Sequence, residues 1–159
     1  MNFIRTLVVA GAALVLGAVN YAIYGKERII LEGESIYLEL APVDPRSLMQ
    51  GDYMALRFRV ADAIEDARRD EKLPLNARSV SLRVADNRVA TLAEAGAPGS
   101  IPLAFRIRRN DVWIGTDAYF FSEGDAERFS RAAYGEFRID TASGEAVLVG
   151  LRDAELKEM

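Results

Sequence analysis

The sequence predicts a mainly β protein: one antiparallel β domain, folded as a barrel or sandwich with one or two short helices, behind a single N-terminal transmembrane helix. Three observations carry that prediction. Residues 6–24 (TLVVAGAALVLGAVNYAIY) run for 19 positions without a charge. As a helix that run covers about 28 Å, near the hydrocarbon thickness of a bilayer. Beyond it, short segments of alternating apolar and polar residues recur. Turn-forming residues, rather than long helical stretches, separate these segments, which implies hairpins and an antiparallel sheet. At 159 residues the chain has room for an anchor (1–28) and one domain of ordinary size (29–159).

The anchor is flanked by Arg5 and by Lys26-Glu27-Arg28, with Tyr21 and Tyr24 where interfacial aromatics belong. Gly11, Ala12, Ala13, Gly17 and Ala18 are small enough to let another helix approach, and equally ordinary for a membrane helix. Asn20 reads as one uncompensated amide. A cleaved signal peptide is the competing reading, but the run is longer than a usual h-region and lacks a clean A-x-A site. An uncleaved anchor is therefore expected. Positive charge stands on both sides and does not orient it.

The domain reads in order as follows. Ile29-Ile30-Leu31 is a short apolar run, and residues 35–40 alternate as a strand. After Gly51, alternation puts Met54, Leu56, Phe58 and Val60 on the core face, opposite Tyr53, Ala55, Arg57 and Arg59. Residues 62–72 (DAIEDARRDEK) read as a solvated helix or loop whose charges confer solubility. A strand follows over 78–84, turning at Asp86-Asn87 into 88–92. Another places Ile101, Leu103, Phe105 and Ile107 inward and Arg106 and Arg108 outward, before a turn at Asn110-Asp111 and the only tryptophan, Trp113. Three aromatics in 117–124 precede a short helical pattern over 125–133. Strands over 134–139 and 145–151 close the domain around Gly144, and the charged tail 152–159 is expected to fray.

Composition excludes much chemistry. The chain has neither cysteine nor histidine, which removes disulfides, thiol catalysis and most zinc and imidazole-based designs. A net charge of -4 argues against nucleic acid as a partner. No cofactor is implied.

The densest set of special residues is Pro42-Val43-Asp44-Pro45-Arg46-Ser47-Leu48, followed by Gly51-Asp52-Tyr53-Met54-Ala55-Leu56-Arg57-Phe58. The second stretch resembles the signature of the GDYXXLXY family of bacterial membrane-anchored proteins. The resemblance extends upstream through the Pro-Val-Asp-Pro-Arg run, and downstream to Tyr119, Phe120, Phe121, Glu123 and Gly124. It departs from the pattern at Phe58, where the family has tyrosine, so that hydroxyl is dispensable here. The resemblance implies a bacterial inner-membrane protein with a periplasmic domain, often accompanying multi-pass membrane proteins. It implies no reaction.

Asp44, Arg46, Asp52, Tyr53 and Arg57 are the candidate binding cluster, with Glu123 facing it or capping the next helix. The structural alternative has Asp44 and Asp52 accepting loop amides and Arg46 stapling the loop. Arg106, Arg108 and Arg109 form a basic stripe that solvates a sheet face or meets an anionic lipid surface. A faint resemblance to Ser/Lys-type signal peptidases, through Ser47, founders on the lysines: Lys26, Lys72 and Lys157 fall beside the anchor, in a charged segment and in the tail, none in a buried strand. The expectation is a non-catalytic accessory module that binds a multi-pass membrane protein. The alternative is a ligand sensor with a pocket near Arg46 and Tyr53. A flat apolar patch beside the loop favours the first, and an apolar concavity with convergent polar groups the second.

Overall fold

The computed structural model describes residues 2–41, 53–109, 111–116, 118–122 and 124–159. Helix α1 (Asn2–Glu32) carries the apolar run and continues beyond it. One helix, Phe3–Glu32, is long and apolar enough to cross a membrane, and none of its most apolar window is buried by the domain. Asn20 is compensated within the helix, donating from Nδ2 to the Leu16 carbonyl at 2.8 Å, which pairs the one amide side chain of the apolar run. Ile29-Ile30-Leu31 is the last turn of α1 rather than a separate segment, and Ile29 is buried against the domain.

Gly33 ends the helix. Its N–H still donates to the Ile29 carbonyl at 2.9 Å. A Cβ there would stand 2.3 Å from that carbonyl oxygen and 3.1 Å from the Ile139 oxygen. Only glycine lets the chain turn so tightly against the sheet. The sheet it enters is antiparallel, ordered β1 (Glu34–Glu39), β9 (Tyr134–Ile139), β10 (Ala146–Arg152). Between these in sequence lie the pair β2 (Tyr53–Ala55) with β8 (Ala118–Phe120) and the sheet β4 (Ala90–Ala93), β3 (Ser79–Val84), β5 (Ile101–Ala104). The hairpin β6 (Arg106–Arg108) with β7 (Asp111–Trp113) completes the set. Every ladder is antiparallel. Among the described residues the sheets do not close into a barrel, and the arrangement is sandwich-like.

One core joins them. Ile36 and Leu38 of β1, Leu82 of β3, Leu103 of β5, and Phe137 and Ile139 of β9 are fully buried together. The expected inward set Met54, Leu56, Phe58 and Val60 is buried, but the strand is short. After Ala55 the backbone leaves the ladder, and α2 (Arg59–Arg69) begins. Val60, Ala61 and Ile64 bury one stripe of that helix, at the spacing a 3.6-residue turn demands. Its charged face reads as solubilising in sequence, yet it holds two carboxylates that bind the body, as described below. The helical pattern over 125–133 condenses to four residues, α3 (Ala126–Phe129). The tail does not fray: Met159 N–H donates to the Leu151 carbonyl at 3.3 Å, and its side chain packs on the core. The Asp153 carboxylate, accepting from the Glu155 and Lys157 amides at 2.9 Å, folds the tail back.

Candidate functional site

Of the candidate cluster, Asp44, Arg46, Asp52 and Glu123 lie outside the described residues, as does Ser47. Tyr53 and Arg57 are described, and the structure separates their roles. Tyr53 is the first residue of β2, directly opposite Phe120 of β8. Their rings approach to 5.8 Å between centroids, within the range of favourable aromatic pairs. Phe120 remains 75% exposed. Behind it, Tyr119 and Phe121 turn inward onto Phe129 of α3, at 5.3 and 5.2 Å. The three consecutive aromatics thus split between one outward ring and two that fasten the short helix.

Arg57 belongs to a polar clamp. Its Nε donates to Asp62 Oδ1 at 2.6 Å and its Nη2 to Glu65 Oε2 at 3.1 Å. Glu65 Oε1 accepts from the Val112 amide at 3.0 Å. One glutamate therefore ties the residue leaving the motif to strand β7. The hydrogen bond to Asp62, followed by attraction to both carboxylates, holds the Arg57 guanidinium above its ordinary pKa despite desolvation. Beside the clamp is a cleft of about 170 Å³ lined by Leu56, Arg57, Glu65, Asp111, Trp113 and Thr116 among others. A smaller one, about 50 Å³, touches Met54, Leu56 and Arg57.

Glu65 escaped the sequence reading because it stands in a run of charges. Its signal was the spacing from Asp62, which puts both carboxylates on one helix face within reach of an arginine just before the helix. The basic stripe is also redrawn. Arg109 occupies the β6–β7 turn with φ of 49°, whereas Arg108 lies over the Trp113 ring at 4.8 Å. No group of three or more metal-ligating side chains occurs among the described residues. Lys26 and Lys72 each pair with a carboxylate, Glu145 and Asp70, and Lys157 is exposed.

The model of the GDYXXLXY protein family matches residues 15–151, from the middle of α1 to the last strand. The chain belongs to the GDYXXLXY family. Comparison with curated proteins and with solved structures finds no match. Within this family member, the signature tyrosine Tyr53 is the one that meets Phe120, and the signature leucine position, Leu56, is core. The last signature position, Phe58, is 3% exposed and stands edge-on to Phe137 at 5.2 Å. A ring there contributes packing, so the missing hydroxyl costs this chain nothing it uses.

Proposed function

We propose that this GDYXXLXY protein is a single-pass, non-catalytic accessory module of the bacterial inner membrane, anchored uncleaved by α1 with its domain in the periplasm. Its domain docks on a multi-pass membrane protein through the surface around Tyr53 and Phe120. The observation that carries the reading is the exposed Phe120 ring, paired with Tyr53 where β2 leaves the central motif. Aromatic side chains such as this Tyr–Phe pair are enriched at protein interfaces relative to the rest of the surface. Among the described residues, the concave spaces touching Arg57 and Met54 hold about 170 and 50 Å³, below the roughly 300–1,000 Å³ of small-molecule sites. They favour docking over ligand sensing.

The test is affinity purification of the full chain from native membranes in mild detergent. A multi-pass partner should co-purify with the wild type and be lost with Phe120→Asp, while the melting temperature stays within about 2 °C, as for a surface substitution. Retention of the partner by Phe120→Asp would sink the docking surface. A phosphatase reporter fused after Met159 should be active, and an inactive one would place the domain in the cytoplasm. The mature protein should retain its first residues by N-terminal sequencing.

A further inference from the structure

We propose that the groove between β6–β7 and the end of α1 holds the anionic headgroup of a membrane phospholipid. The groove encloses about 630 Å³, and Lys26, Arg78, Arg106, Arg108, Trp113 and Glu145 are among its lining residues. Four cations thus face one carboxylate, on a chain whose net charge is -4. That concentration runs against the composition of the molecule. Glu145 is occupied by Lys26. Among the described residues Arg106 has no acidic partner, the Arg78 guanidinium donates to the Ala77 carbonyl at 3.0 Å and pairs with no carboxylate, and Arg108 rests on Trp113. Three guanidiniums therefore retain donors for a phosphate. Asp111, across the hairpin from Arg108, lines the Arg57 cleft instead.

The hairpin register explains the convergence. Arg106 pairs with Trp113 and Arg108 lies one diagonal away, so all three share a sheet face, with Asp111 opposite Arg108 at its end but outside the groove lining. Placement selects the source of the phosphate. Lys26 is the first charge after the apolar run, separated from Tyr24 by Gly25 alone, and so stands at the level where the hydrocarbon ends. A groove with that rim opens at headgroup height, beside an indole suited to the interface. The inference rests on the membrane anchoring proposed above.

The chain's only tryptophan lines the groove, which provides the readout. The full chain in neutral detergent is titrated with phosphatidylglycerol, phosphatidylcholine, glycerol phosphate and inorganic phosphate while Trp113 emission is followed. Phosphatidylglycerol should give a saturable change, and phosphatidylcholine none. Arg78→Gln with Arg106→Gln leaves the Arg108–Trp113 stack intact and should raise the midpoint about tenfold or more. Arg83→Gln, exposed elsewhere on β3, should leave it unchanged, and melts of each variant confirm folding. No saturable response, an equal response to phosphatidylcholine, or an equal effect of Arg83→Gln would overturn the proposal. A match by free phosphate or glycerol phosphate would overturn the lipid as source. Carbonate extraction of native membranes tests the anchor separately: release of the chain refutes anchoring, while the titration still reports on the groove.

Discussion

Gly135 shows how little space the core leaves around its signature residue. A Cβ at that position would lie 2.8 Å from Phe58 Cε1, 3.0 Å from Leu148 Cδ1 and 3.1 Å from Phe137 Cε2. Two of those neighbours are rings locked edge to face, so they cannot yield by a simple rotation. Gly135→Ala should lower stability by about 1–3 kcal/mol, the usual cost of overpacking. Adding Phe58→Leu should recover part of that loss, and non-additive chemical melts of the three variants check it. The burial of Phe58 was legible from alternation. The glycine it requires was not, because close approach between β9 and the motif is a tertiary fact. Asp140 makes a second residue-scale case. It accepts from Ser143 Oγ at 2.7 Å and from the Ala142 amide at 3.0 Å, holding the β9–β10 turn. The Ser143 bond first, then the amide, depress its pKa below the ordinary carboxylate value. A depressed folded-state pKa adds stability that is complete above the unfolded value, near pH 4, and is lost as pH falls through the folded one. Asp140→Asn should therefore flatten the fall of the melting temperature as pH drops below about 4. An unchanged slope would deny the turn this role.

The central sheet is pinned by a polar set that alternation alone could not reveal. Glu136 stands on the middle strand, β9, and reaches both neighbours. Its Oε1 accepts from Ser35 Oγ of β1 at 2.9 Å, and its Oε2 from Arg152 Nε of β10 at 2.9 Å. Ser35 is 6% exposed, and the pair's side chains are 12% and 19% exposed. Such a pair loses less to screening than the half-exposed Arg57–Asp62 bridge. The bond to Glu136 is the first cause holding the Arg152 guanidinium above its ordinary pKa. Removing one partner leaves the other poorly solvated. Arg152→Ala and Glu136→Gln should each cost about 1–3 kcal/mol, and the double variant less than their sum by at least about 0.5 kcal/mol. Strict additivity would show that the pair is incidental. Sequence placed both strands correctly but read Arg152 as the start of a loose tail. It read residues 62–72 as a solvated helix or loop without choosing between them, because the apolar stripe of α2 is only Val60, Ala61 and Ile64. An amphipathic helix that narrow is decided by what it packs against, not by its own pattern.

At the scale of the molecule, the boundary placed between residues 28 and 29 falls inside one unbroken helix. The long apolar helix and the β domain were both legible, the first from its uncharged length and the second from alternation. Their junction was not, since Ile29-Ile30-Leu31 suits a strand as well as a helix end. In the structure, α1 passes through that point and grips the domain by Ile29, by the Lys26–Glu145 ion pair and by the close turn at Gly33. The helix runs unbroken into that turn, so the domain should keep a fixed attitude to the helix axis, and with it the basic groove and the Phe120 face. Ile29→Asp should break that coupling by placing a charge in a buried apolar contact. Because the chain has no cysteine, Tyr24→Cys and Ser79→Cys admit one spin label on the helix and one on the exposed start of β3. In detergent the wild-type background should give a narrow distance distribution by pulsed electron resonance. With Ile29→Asp the distribution should broaden while the domain's β circular dichroism is retained. A distribution already broad in the wild-type background would mean that the helix swings freely and that the domain is tethered rather than held.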